Sequence, residues 1–279
     1  MGHKINEFYQ RVWWRLARSF VSHKLSISQF ESLLERMGIN SGKTVLLHCS
    51  LDEIVRHVPD LNAITLLELL QNRLTTAGTL LMPTFPFRGS QYEHLQKCTT
   101  FNLQLSHSMT GLLSEIFRRS KGVVRSRHPT HPITAWGKHA KLLTDTHHLG
   151  DAFDKTSPFY LLTHVDGLIV GLGTDSHSFT ISHTAERLHP KTYNLVFCRE
   201  GVLTTIKDKK NSYEQIVYPL CPGVKRDFVR VQQELLKMGA LARYQAKGLY
   251  CFSGSGADIL AGEKKLIEQN RFFYDLNGF

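Results

Sequence analysis

The chain has 279 residues, 42% of them hydrophobic and 21% charged, which is enough to bury a large core and is ordinary for a globular enzyme. Thirty-four Lys and Arg against 24 Asp and Glu give a formal charge of +10, which favours an anionic partner without bearing on the fold. Five scattered cysteines form no C-x-x-C pair or metal-ligand spacing, and no run of ~18 apolar residues occurs, so free thiols in a reducing cytoplasm are expected and a membrane span is not.

Phe8, Val12, Leu16 and Phe20 recur at helical spacing and predict an amphipathic helix over 6–22. Ser28, with Glu31 three residues on, reads as the capping box of a second helix that ends at Gly38. An α/β rhythm follows: a strand over 44–47, a helix over 61–74 and a strand over 79–82 closed by Pro83-Thr84-Phe85-Pro86. Residues 87–107 lack periodicity and read as a long loop covering a site. A helix over 111–119, a strand over 133–136 and a short helix over 138–144 come next, then an irregular connection over 145–160.

Leu168 to Leu172 is an apolar run between glycines, the pattern of a strand buried on both faces, and the polar segment after it leads into a helix carrying His183 and Glu186. Beyond it, β-like runs over 193–205 and 212–218 flank the Lys207-Asp208-Lys209-Lys210 turn as a hairpin. A helix over 227–238, a strand over 248–252 and a helix over 257–270 close the chain. The expected architecture is one α/β domain, a three-layer α/β/α arrangement with a central mixed, mostly parallel sheet and an additional β-hairpin region. Residues 1–40 supply N-terminal helices, 41–190 the catalytic core, and 191–279 the hairpin region and C-terminal helices.

Among the candidate sites, His183 and Glu186 stand one helical turn apart beyond the end of a core strand, where open α/β sheets bind ligands. A carboxylate bonded to one imidazole nitrogen fixes the tautomer and raises the basicity of the other; the bland alternative is a solvated surface pair. His48-Cys49-Ser50 follows the first strand and can hold a carbonyl or phosphate oxygen, whereas Cys49 as nucleophile is disfavoured because strand-end thiols are usually buried and inert. Residues 125–132 pack two guanidiniums, two imidazoles and two hydroxyls between prolines, a pattern suited to a phosphate or pyrophosphate. Zinc is not expected there, since HxxH has no further ligands at useful spacing, and neither Gly171-Leu172-Gly173 nor Gly254-Ser255-Gly256 continues as a dinucleotide fingerprint.

Taken in order, VLLHCSL (45–51), GTLLMPTF (78–85), HSMTGLLSEIFRR (107–119), VRSRHPTHPITAWG (124–137), SPFYLL (157–162) and DGLIVGLGTDSHSFTISHTAE (166–186) resemble the aminoglycoside 3-N-acetyltransferase family. The resemblance implies an acyl-coenzyme A co-substrate, an amino-sugar acceptor, direct transfer without an acyl-enzyme, and no metal. It assigns His183 as base and Glu186 as its carboxylate partner. It implies Ser50, His48, Met82, Thr84, Ser108, Gly111 and Arg125 along the coenzyme, and His128, His131 and Asp175 near the acceptor; Pro132 replaces the family's usual serine. Because the basic balance suits anions, a thymidine-diphosphate 3-amino deoxysugar of surface-polysaccharide synthesis is the favoured acceptor, with aminoglycoside modification as the alternative. Nucleic-acid binding is the competing class, but the basic residues are dispersed and no recognised motif appears. A homodimer is compatible with the sequence.

Overall fold

The protein is described by a computed structural model that covers residues 24–174 and 178–275; the helix expected over 6–22 and the candidate Asp175 lie outside the described residues. The first described helix, α1 (Ile27–Arg36), is capped by Ser26 and not by Ser28. Ser26 Oγ accepts the Gln29 N–H while the Gln29 side chain accepts the Ser26 N–H, so the capping box sits two residues earlier than predicted. Gly38, at φ +83°, lets the chain turn out of α1.

The elements then run β1 (Thr44–Cys49), α2 (Leu51–His57), α3 (Ala63–Leu74), β2 (Thr79–Pro83), α4 (Gln91–Lys97) and β3 (Thr100–Asn102). They continue as α5 (Leu112–Arg119), β4 (Val124–Arg125), β5 (Ile133–Gly137), α6 (Ala140–Thr144), α7 (Pro158–Leu161), β6 (Gly167–Leu172), α8 (Ser182–Leu188) and α9 (Pro190–Val196). The remainder is β7 (Val202–Asp208), β8 (Asn211–Val217), β9 (Lys225–Arg226), α10 (Phe228–Lys237), β10 (Ala242–Ala246), β11 (Leu249–Ser255), α11 (Gly256–Glu268) and β12 (Tyr274–Asp275).

The central sheet has the order β10-β11-β6-β1-β2-β5-β4. It is mixed: β6, β1 and β2 are parallel at its centre, and the pairings on both flanks are antiparallel. Alternation along each strand feeds two cores, which makes the three layers. Val45, Leu47, Leu80 and Met82 pack with α1, α3 and α5 on one face, while Leu46, Leu81, Ile169 and Phe252 pack with α10, α11 and the α8 segment on the other. Gly171 in β6 is required by this packing, because a Cβ there would stand 2.1 Å from the Phe252 ring.

Two expectations are corrected. The predicted loop over 87–107 contains α4 and β3, and β3 extends the hairpin into a separate three-stranded sheet of order β3-β7-β8. The first hairpin strand also starts late: residues 190–196 are helical, with Pro190 at the first helical position and His189 capping, so the β-rich composition of 193–197 yields to the helix start. Among the described residues no helix is long and apolar enough to cross a membrane.

Candidate active site

Helix α8 begins beyond the carboxyl end of β6 and presents His183 and Glu186 on one face, as the i,i+3 spacing requires. His183 Nδ1 lies 2.5 Å from Glu186 Oε2. The Glu186 side chain is 1% exposed and that of His183 19%, so the carboxylate is sealed while the imidazole keeps one open edge. A donor Nδ1–H toward the carboxylate leaves the lone pair on Nε2, which makes no hydrogen bond among the described residues. The ring is held by Phe153 at 5.1 Å and, edge-on, by Phe228 at 6.0 Å.

Glu186 Oε1 accepts from Tyr274 O–H at 2.6 Å and from Arg226 Nη1 at 3.0 Å. Arg226 Nη2 donates to Glu263 Oε2 at 2.6 Å, and Ser182 Oγ donates to Glu263 Oε1 at 2.5 Å. Burial alone would raise the Glu186 carboxyl, but the His183 and Arg226 charges, with hydrogen bonds from His183 and Tyr274, hold it below the usual carboxylate value. The Tyr274 hydroxyl is pushed up, first by burial and then by the neighbouring Glu186 charge.

His131 joins this group. Its ring lies 4.7 Å from Phe153, the phenyl ring that His183 also contacts, and Phe85 packs against it edge-on at 4.6 Å. Burial, then the charges of His183 and His147, push its proton affinity well down, so it is a neutral imidazole. His128 is instead wholly buried: its Nδ1 accepts the His131 and Thr130 backbone N–H groups at 3.1 and 3.3 Å, and its ring stacks on His147 at 4.6 Å. His128 Nδ1 thus serves the backbone that presents His131, while its Nε2 is buried with no partner among the described residues.

A cavity of about 350 Å³ opens at the carboxyl ends of β1 and β2. His48, Met82 and Gly111, three of the residues expected along the coenzyme, line it together with Thr110, Ser114 and Thr180. Gly111 adopts φ +138° at the start of α5, and a Cβ there would meet nothing within 4 Å, so this helix N-terminus opens on the cavity without a side-chain cap. Burial pushes His48 down to about 4, which makes it a neutral hydrogen-bonding group, and its Nε2 is buried with no partner among the described residues. The Cys49 thiol is pushed up to about 12 by burial and by Cys251, so it is not a nucleophile at neutral pH.

Four other residues expected along the coenzyme do not line this cavity. Ser108 lies behind the cavity wall, its hydroxyl bonded to those of Thr110 and Ser114 at 2.8 and 2.9 Å. Thr84 is fully buried and donates to the Pro132 carbonyl at 3.1 Å. Ser50 caps α2 and lines a different groove of about 610 Å³ with Arg243 and Tyr250. Arg125 spends its donors inside the protein, on Thr84 Oγ1, Thr84 O, Leu103 O and Ser106 O, with its guanidinium 4.8 Å over the Phe101 ring. These side chains are absorbed by local structure, which motif position alone does not reveal.

Sequence reasoning missed Arg226, Glu263 and Tyr274. One signal was available: Glu263 interrupts the apolar face of α11 formed by Ile259, Leu260, Leu266 and Ile267, and a carboxylate buried in such a stripe requires a partner. Among the described residues no group of three or more His, Cys, Asp or Glu is arranged to hold a metal ion.

The chain is 27% identical over 179 residues to the aminoglycoside N(3)-acetyltransferase III of Pseudomonas aeruginosa, covering 60% of this chain and 64% of that protein. It thus spans under two thirds of the length of the curated relatives that it matches. In fold it is similar to a structure described as AAC-IIIb binary with CoASH, with a TM-score of 0.72, 19% identity and coverage of 88% of this chain and 97% of the other. It is similar also to AAC-VIa bound to sisomicin, with a TM-score of 0.71, 20% identity and coverage of 88% and 98%. A family model described as aminoglycoside 3-N-acetyltransferase matches residues 46–265, and the chain belongs to that family.

Proposed function

We propose that the protein transfers an acetyl group from acetyl-coenzyme A to an amine of an aminoglycoside, with His183 as general base and Glu186 as its partner. The observation that carries this reading is the half-buried imidazole with a sealed carboxylate on Nδ1 and an Nε2 that makes no hydrogen bond among the described residues, in a chain of this family. An amine attacks a thioester only when neutral. Nε2 of His183 takes the amine proton as nitrogen bonds to the thioester carbon; the tetrahedral intermediate then collapses, the carbon–sulfur bond breaks, and the proton passes to the departing thiolate. The coenzyme arm occupies the cavity lined by His48, Met82 and Gly111, where the first N–H groups of α5 face the developing oxyanion. His131 and Asp175 serve the acceptor side. Arg125, Thr84 and Ser108 brace the cavity walls.

The aminoglycoside acceptor is supported by the relatives, and the nucleotide-linked sugar favoured by net charge is not. Net charge sums residues far from the site. Among the ion-paired groups around α8, three carboxylates, Glu186, Glu263 and Asp151, meet two guanidiniums, Arg226 and Arg187, so this cluster does not share the basic excess of the chain. With acetyl-coenzyme A as donor, sisomicin should be acetylated with a kcat/KM well above that for a thymidine-diphosphate 3-amino sugar; a preference for the sugar nucleotide would overturn this acceptor assignment.

A further inference from the structure

The base sits on α8, but the groups behind its partner come from beyond residue 220. Glu186 divides its two oxygens: Oε2 faces His183, and Oε1 receives Tyr274 O–H at 2.6 Å and Arg226 Nη1 at 3.0 Å. Both donors arrive on one antiparallel pair, because Tyr274 stands opposite Arg226 in the β9–β12 register. Arg226 is itself clamped, by Glu263 at 2.6 Å, by the Phe272 carbonyl at 3.2 Å, and between the rings of Phe228 and Tyr274 at 5.8 and 5.4 Å. Glu263 is held in turn by Ser182, the residue before His183, so the network closes on the helix it supports.

We propose that Arg226 and Tyr274 are positioning residues: by occupying Oε1 they fix the Glu186 carboxylate in one orientation and reserve Oε2 for His183, so the base depends on the β9–β12 pair. The rate readout of this inference rests on the acyltransfer reading; the geometry does not. The buried charges explain why such a clamp is useful. Glu186 and Glu263 against Arg226 leave one negative charge in excess until the imidazole takes up a proton, so the amine proton arrives where it completes the balance. The groups facing Glu186 are His183 from α8, Arg226 from β9, Tyr274 from β12 and, through Arg226, Glu263 from α11; Cys221 lines the cavity of about 50 Å³ beside it, and a charge on His183 lowers the proton affinity of His131.

Arg226→Gln, Arg226→Lys and Tyr274→Phe are tested by the pH profile of kcat/KM for acetyl transfer and by ¹⁵N NMR of the His183 ring over the same pH range. In Arg226→Gln the Glu186–His183 pair loses a neighbouring positive charge, which favours the protonated imidazole, so the acid limb and the NMR transition should both rise by about one pH unit or more, with kcat down about tenfold or more and coenzyme KM within about threefold. Arg226→Lys should restore the limb but only part of kcat, since an ammonium cannot bridge both carboxylates as the guanidinium does. Tyr274→Phe keeps the ring over Arg226, removes one hydrogen bond to Glu186, and should move both readouts the same way by less. Should Arg226→Gln not fold, Tyr274→Phe decides alone. An unmoved limb and an unmoved NMR transition in a folded variant overturn the proposal, even if Tm and rate fall at every pH. A shifted NMR transition in a protein that acetylates no acceptor leaves the clamp standing and overturns the acyltransferase reading.

Discussion

Two groups of histidines lie on the same side of the sheet and differ in what surrounds them. His183 has a carboxylate on one nitrogen and an open edge on the other. His128 and His147 stack on each other in the core without a carboxylate hydrogen bond: His147 donates Nε2–H to the Ala152 carbonyl and accepts from Ser126, and His128 organises a turn. Burial pushes His147 down to about 4 and His128 well below its ordinary value. The contrast shows that imidazole content does not mark a site. A buried imidazole without an anion is a neutral strut, and one with an anion and a free edge can carry a proton.

The strongest way to break this contrast is to neutralise the carboxylate. Glu186→Gln keeps the shape and an acceptor for Tyr274 but removes the charge, and should lower turnover by about two to three orders of magnitude; steady-state kinetics at neutral pH check this. Stability against pH sharpens the comparison from the other side. His147 binds its proton in the unfolded chain near its ordinary 6.5 but in the folded chain only near about 4, so the unfolded state holds more protons between these values and stability falls as pH drops through that window. This one group should contribute a loss of roughly 3 kcal/mol by the lower end. Glu186 has the same sign in a lower window: its folded value is also depressed, so its contribution is present above the unfolded carboxylate value and is lost as pH falls through the folded one. Urea unfolding across the window should therefore be flatter in His147→Asn than in the parent protein.

Smaller effects separate bracing from binding. Arg125→Ala removes four hydrogen bonds and the contact with Phe101, and should cost about 2–4 kcal/mol of stability while the acetyl-coenzyme A KM of the folded protein stays within about threefold. A large rise in KM with little change in Tm would return Arg125 to the coenzyme. Least affected is Cys49→Ser, expected to keep turnover within about twofold, with iodoacetamide modifying exposed Cys98 ahead of it.

The strand–helix alternation, the apolar β6 run and the His183–Glu186 spacing were legible because period and spacing encode them directly. Helix α9 was not, since Tyr193, Leu195, Val196 and Phe197 favour strands in isolation while Pro190 and the His189 cap start a helix. Nor was the clamp: Arg226, Glu263 and Tyr274 come from three elements that only tertiary packing brings to Glu186. Arg125 illustrates the converse. Its residue type suits a phosphate, but the neighbouring carbonyls of Thr84, Leu103 and Ser106 claim its donors once the loop folds.

The central claim is that His183 is the base of an acetyl transfer. Turnover of His183→Ala with acetyl-coenzyme A and sisomicin, measured beside calorimetric binding of coenzyme A to the same variant, tests it most directly. A fall in turnover of about two to four orders of magnitude with coenzyme affinity within about threefold of the parent is the predicted result; turnover near the parent's in a variant that still binds coenzyme would contradict it.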